Sequence, residues 1–558
     1  MKMNTFLSAL TALCMLLSFT SKAQNATTSS ATSAQTDQIP AYKVALFEKV
    51  ADRPDYRDVV TESVSLRLNY EKLNEVFAAH PKQILFEIPT ADGSVIQVAA
   101  QEQQIFAEGF KVTTSDGKDF DYTPGIHYAG KVVGHEDHCF ASISIFNNEV
   151  MAVISFGDYN YNLGPTGQML GENYVFYKDN DLINKPSFEC GVDDYVPPPS
   201  HDEYPPEGNR SPTCQRVKMY VEADFELYQS FGSNTANTAN YVTAIFASMS
   251  TLYSGIGVQM HISKLYIYTG PDPYFDENGS VFPTTAKADF EYLMQLTGYD
   301  GDIAHLFSAD NSGGLANIGG LCGTDAQGCA VSCGLGNGAT NFPAYSWSVM
   351  VITHETGHVL SSRHTHACVW LPNLNTALDN CATTEGGCAP GPAPTNGGTL
   401  MSYCHTVAGV GINFANGFGS QPGNKINFYV NSAPCLSCYQ SGVLDNIAVT
   451  PIFCGTNATY NTVNGSGSTT TYANVSSYNG CPWNESGPER IFFFVIVNPT
   501  TVTIQLEQPQ AQLDLFLLSS LNPASCFQWD DNSISASLHQ EPITSSWMAG
   551  MVLSVLFN

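Results

Sequence analysis

The residues best equipped for chemistry lie in one run, His354-Glu355-Thr356-Gly357-His358-Val359-Leu360-Ser361-Ser362-Arg363-His364. His354 and His358 stand four apart, so on a helix they project from one face and can grip a single ion. Glu355 is offset around the helix from its neighbour, which suits its carboxylate to take a proton from a metal-activated water rather than bind the metal. His364 can join only if the helix stops first, since a continuous helix would carry it too far along the axis. The spacing therefore predicts a sharp bend near Ser361. Three protein ligands leave the fourth position of a zinc ion to water, whose pKa falls toward ~7, and peptide hydrolysis is the natural use of that water.

The three histidines at this spacing, followed by Gly398-Thr399-Leu400-Met401-Ser402-Tyr403, resemble the extended zinc motif and Met-turn of the metzincin clan. The flanking runs His364-Thr365-His366-Ala367-Cys368 and Met401-Ser402-Tyr403-Cys404-His405 are similar to the reprolysin or adamalysin branch, especially its secreted bacterial members. The likeness spans roughly residues 214 to 440 and is densest near the histidines. It implies an α/β catalytic domain with one catalytic Zn2+ on His354, His358 and His364, and Glu355 as general base. Met401 would form a hydrophobic base beneath the imidazoles. Tyr403 matches the place where astacins and serralysins carry a tyrosine that steadies the tetrahedral intermediate, with a packed core tyrosine as its alternative. One departure is Ser361, where the clan has glycine. A left-handed turn there would cost a non-glycine residue about 1 to 2 kcal/mol.

The elements that must position these groups follow from local pattern. Val217 to Ala223 reads as a strand, Thr238 to Tyr253 as a helix, Val258 to Tyr268 as a strand and Tyr345 to Leu360 as the histidine-bearing helix, the alternation of an α/β layer. Gly314 to Gly320 is either the edge strand that receives an extended peptide or a glycine-rich loop.

A chain of 558 residues, 43% apolar, is long enough for about three domains. Residues 1–23 carry Lys2, an apolar stretch from Phe6 to Phe19 and Ser21-Lys22-Ala23, the pattern of a cleavable signal, so a secreted, extracellular and bacterial destination is expected. Of 16 cysteines, ten fall between Cys214 and Cys438, consistent with up to five disulfides, four of these cysteines (Cys368, Cys381, Cys388, Cys404) fastening the loop before the Met-turn. A second, cysteine-ligated zinc at Cys322, Cys329 and Cys333 or at Cys435 and Cys438 is the rival reading. The net charge of -29 argues against nucleic acid and anionic membranes as partners. Such a surface could hold Ca2+, but no loop has the carboxylate spacing of a calcium site.

Residues 24–195 alternate in short strand-like runs, Val64 to Leu68 and Ile84 to Ile88 among them, and Ala141 to Phe146 with Val150 to Phe156 flank Asn147-Asn148 as a hairpin would. This β-rich prodomain resembles a reprolysin propeptide. Its Cys190-Gly191-Val192 resembles the Cys-Gly-Val element with which latent metzincins plug their own zinc, a thiolate taking the water's place. The competing reading is a Cys139–Cys190 disulfide. Residues 196–212 form a proline-rich linker with Arg210 as a processing point, and 213–440 the protease domain. Residues 445–558 turn β-rich again and resemble the small β-sandwich of pre-peptidase C-terminal domains. Ser545 to Asn558 lacks an evident closing strand, which suggests truncation.

Two functions from different classes remain: a zinc endopeptidase acting on proteins or peptides and inhibited by its own propeptide, or a non-catalytic adhesion protein retaining the zinc fold. Glu355 beside three ligands favours the enzyme, because binding alone places no demand on that carboxylate. A glutamate third ligand is disfavoured by His364 and Met401.

Overall fold

The computed structural model describes residues 42–436 except 51–55, 168–172, 185–189, 192–215, 275–282, 311 and 337–341, and beyond 436 the backbone of five strands. The signal segment, the proline-rich linker with Arg210, and Cys214 and Cys438 lie outside the described residues.

The N-terminal region builds a ten-stranded sheet, antiparallel at all but one of its pairings. Its centre is a meander of Val95–Glu102, Ile126–Val132, Cys139–Ile145, Val150–Phe156, Tyr159–Pro165 and Asn173–Lys178. The expected hairpin pairs Val150 with Ile145 and runs in register to Phe156 with Cys139. Alternate side chains of these strands, such as Ile143, Ile145, Ala152 and Ile154, enter one apolar core with the helix Tyr70–Ala79.

The second sheet has seven strands, ordered Gly313–Ala316, Cys329–Cys333, Ile303–Phe307, Arg216–Ala223, Gln259–Ile267, Phe106–Thr114 and Asp119–Phe120. The inner pairings are parallel and the two outermost antiparallel. The helices Thr235–Ser254 and Tyr345–Val359 pack together against this sheet. All side chains of the second helix but Trp347 are buried, as expected for a helix without a polar face.

Two strands of this sheet, Phe106–Thr114 and Asp119–Phe120, come from the N-terminal region. The first pairs in parallel with Gln259–Ile267. Ile105, Val112, Phe140, Phe146, Met151 and Val153 share one core with Val217, Ile245, Met249 and Val349. The boundary at residue 195 thus divides the chain but not the core. Period-2 alternation identifies a strand and its buried face, but not which sheet receives it, because that depends on partners ~150 residues away.

After residue 436, the described strands Val449–Pro451, Glu489–Val495, Gly550–Phe557, Leu513–Leu518 and Cys526–Asp530 form one five-stranded sheet. Gly550–Phe557 lies between Glu489–Val495 and Leu513–Leu518, so the expectation that the final stretch lacks a closing strand is corrected. Its apolar run Met551-Val552-Leu553 carries little alternation and gave no strand period to read. No helix among the described residues is long and apolar enough to cross a membrane.

Candidate active site

The helix Tyr345–Val359 carries His354, Glu355 and His358, all fully or almost fully buried. It ends where the motif requires. Ser361 adopts φ +74° and donates its N–H to the His358 carbonyl at 2.8 Å, while Ser362 N–H reaches the Gly357 carbonyl at 2.9 Å, so a left-handed residue closes the helix as glycine ordinarily does. The chain then returns to place His364 opposite the helix. His358 Nε2 lies 3.2 Å from His354 Nε2 and 3.1 Å from His364 Nε2.

The other face of each ring fixes its tautomer. His354 Nδ1 donates to the Leu400 carbonyl at 2.8 Å and His358 Nδ1 to the Ser362 carbonyl at 3.0 Å; a carbonyl only accepts, so both protons sit on Nδ1. His364 Nδ1 lies 3.0 Å from Glu385 Oε1. Burial opposes ionisation of Glu385, but hydrogen bonds from His364 and His366 prevail and hold its pKa at about 2, so it too is an acceptor. Burial lowers the His354 pKa far below the usual value and that of His358 to about 4, keeping both rings neutral. Three ε-nitrogens thus face one point at close range, and those of His354 and His358 are left as acceptors, an arrangement that a cation satisfies. The residues fit a zinc ion.

Cys190 completes the cluster. Its Sγ and one ring nitrogen from each of His354, His358 and His364 lie within 4.8 Å of one another. The thiol is 3.5 Å from His358 Nε2 and 3.7 Å from Glu355 Oε2. Cys190 bridges Gly314 of the edge strand in parallel, and Gly191 N–H donates to the Gly314 carbonyl at 3.2 Å. Gly314 to Ala316 is therefore edge strand rather than loop, and it already holds an extended segment of the same chain. A side chain at Gly314 would overlap the Glu355 carboxylate, which is why this strand approaches the helix through a glycine. No disulfide joins Cys139 to Cys190, so that alternative is corrected.

Met401 is fully buried against the histidine helix, where a Cβ at Gly357 would stand 2.6 Å from its sulfur. The glycine inside the helical motif thus admits the methionine. Tyr403 packs its ring against His364 at 4.8 Å and donates its hydroxyl to the Cys190 carbonyl at 2.9 Å. Burial, then the adjoining Cys190, raises its pKa far above the ordinary value, so the phenol remains a donor at any working pH.

Two disulfides, Cys368–Cys388 and Cys381–Cys404, fasten the loop between His364 and Met401, as the cysteine spacing predicts. A third joins Cys322 to Cys435. That bond removes Cys322 and Cys435 from the rival second zinc site, and Cys329 and Cys333 are buried free thiols. Sequence reasoning passed over Glu385, which is 21 residues beyond His364 with no motif around it. Only the disulfide-closed loop returns it to the histidine.

Comparison with known proteins bears on the same stretch. Residues 213–413 match the family Reprolysin_5, described as Metallo-peptidase family M12. Over this stretch the chain is similar to the M12 metallopeptidases. Among solved structures, the chain is similar to metalloproteinase-II from Bacteroides fragilis at 10% identity and TM-score 0.29, over 50% of this chain and 81% of that one. A chaperone-substrate complex aligns at 12% identity and TM-score 0.21, over 62% of this chain and 59% of the other. No curated protein matches.

Proposed function

We propose that this chain is a secreted zinc endopeptidase made as a latent precursor. The observation that carries the reading is the convergence of three histidine ε-nitrogens on one point, with the Glu355 carboxylate and the Cys190 thiol beside it. His354, His358 and His364 would hold the ion, which when bound supplies Lewis acidity and a water activated near neutral pH. Glu355, buried and next to the thiol's position, takes the attacking water's proton and returns it to the leaving amine. The edge strand Gly313–Ala316 lines up an extended peptide by strand addition. Tyr403, which donates to the Cys190 carbonyl in this structure, would on release of that segment donate to the oxygen of the reacting carbonyl.

Cys190 accounts for latency. With the ion bound, the Cys190 thiolate would take the place of the water, and Gly191 occupies the edge strand a substrate needs. Cleavage in the linker 196–212 would free both. The adhesion reading places no demand on Glu355 and leaves the thiol at the histidines without purpose.

The test uses the full chain nicked in its linker with trypsin. The wild type and Glu355→Ala are compared for casein cleavage and bound zinc. The reading expects both to retain one zinc and the variant to lose at least ~100-fold in rate. Equal cleavage by the two would remove Glu355 from its role, and zinc-loaded protein without any cleavage would favour the binding protein.

A further inference from the structure

We propose that Glu385 is a positioning residue for the third metal ligand, mounted on a disulfide-closed loop so that its carboxylate sets the orientation and tautomer of His364. The inference rests on the zinc reading above and adds a residue to it.

His354 and His358 receive their Nδ1 acceptors from the backbone, the Leu400 and Ser362 carbonyls, whose positions follow from the helix and the Met-turn. His364 lies beyond the helix and has a side-chain partner instead, Glu385 Oε1 at 3.0 Å. The same oxygen receives His366 Nε2 at 3.0 Å, and the His364 and His366 rings stack nearly parallel, 7° apart in plane at 4.9 Å. One carboxylate thus bridges two stacked imidazoles and fixes both.

Glu385 is held in turn by its backbone. Its N–H donates to the His366 carbonyl at 3.2 Å, and its carbonyl accepts from Cys368 N–H at 2.8 Å, a short strand-like pairing with the segment that follows His364. The Cys368–Cys388 disulfide begins at that pairing and closes three residues after Glu385. Trp370, fully buried, donates its indole N–H to the His364 carbonyl at 2.9 Å and anchors the other side of the loop. A carboxylate on the distal nitrogen raises the basicity of a ligating imidazole, and such partners are worth 10–100-fold in metal affinity. A loop carrying only a structural role would place no demand on a carboxylate at 385.

The experiment measures zinc affinity of the full chain by competition with a chromophoric chelator, together with the visible absorption spectrum of the cobalt-substituted protein. Glu385→Ala is expected to lose 10–100-fold in zinc affinity and to alter the cobalt spectrum. Glu385→Gln, whose amide oxygen still accepts from Nδ1, should recover most of the affinity. The double variant Cys368→Ser/Cys388→Ser should weaken zinc in the same direction, and adding Glu385→Ala to it should cost little more, because the two act on one element. Thermal melting of the metal-free proteins separates a folding defect from a metal-site defect; should Glu385→Ala not fold, Glu385→Gln and the cysteine pair carry the test. Folded Glu385→Ala binding zinc within twofold of wild type, with an unchanged cobalt spectrum, would overturn the inference. So would Glu385→Gln losing as much as Glu385→Ala, or a cysteine pair without effect on zinc. A wild type that binds no zinc would instead overturn the zinc reading itself.

Discussion

Among the described residues, the N-terminal region meets the histidine-bearing region through contacts of two kinds. Strand Phe106–Thr114 joins the peptidase sheet, Phe146 and Met151 enter its core, and Asn160 and Asn162 tie the Phe414 and Ser346 backbone N–H groups at 2.9 and 2.7 Å. This contact is wide and buried. Cys190 and Gly191 make the other contact, reaching the site with one backbone hydrogen bond, the Tyr403 hydroxyl and a thiol. The wide contact supports the fold, whereas the narrow one addresses the chemistry. Latency, on the proposed function, can therefore be lifted at one residue while the sheet stays whole, and a C-terminal region cut away at residue 211 would lose two strands and part of its core.

The largest expected effect separates the two contacts. Cys190→Ser in the unnicked full chain should raise casein cleavage at least ~100-fold over wild type while its melting temperature moves little, since one partly buried thiol contributes little packing. Unchanged latency would mean that the wide contact blocks the site.

Phe146→Ala should act in the opposite sense. Its buried ring joins both regions, so truncation should cost about 3–5 kcal/mol and lower one cooperative transition seen by denaturant unfolding. Two independent transitions, with the peptidase region unaffected, would break the claim of a shared core.

Smaller effects sharpen it. At the wide contact, Glu149 accepts from Asn240 Nδ2 at 2.8 Å, and burial pushes its pKa up to about 7 from 4.5. A raised folded pKa contributes stability that is present below 4.5 and lost as pH rises through 7. Thermal stability should fall between pH 5 and 8, and Glu149→Gln should flatten that fall by on the order of 1 kcal/mol, allowing for the solvent that still reaches the carboxyl. Identical pH profiles would remove Glu149 from the linkage. Ser361→Gly, on the metal side, should leave cleavage intact and add about 1 kcal/mol in chemical denaturation by relieving the positive φ; a loss of both would mean that the serine side chain supports the turn.

Much of the site was legible because its chemistry is local. The i, i+4 histidines, the bend at Ser361 and the return of Met401 occupy 48 consecutive residues whose spacing constrains their geometry, and the hairpin around Asn147-Asn148 is likewise a short-range signal. What escaped is non-local. Phe106–Thr114 alternates like any strand and gives no sign of joining Gln259–Ile267. Glu385 reaches His364 only through a loop shaped by the Cys368–Cys388 bond, and connectivity cannot be read from cysteine spacing alone. Gly314 and Gly357 read as ordinary glycines until the Glu355 carboxylate and the Met401 sulfur are placed against them.

The central claim, a zinc site formed by His354, His358 and His364 and plugged by Cys190, is tested most directly by zinc X-ray absorption on the unnicked full chain and its Cys190→Ser variant. The account predicts three nitrogen scatterers and one sulfur at ~2.3 Å in the wild type, with the sulfur lost and a light atom in its place in the variant. A wild-type spectrum without sulfur, or a sulfur contribution that persists in Cys190→Ser, would contradict it.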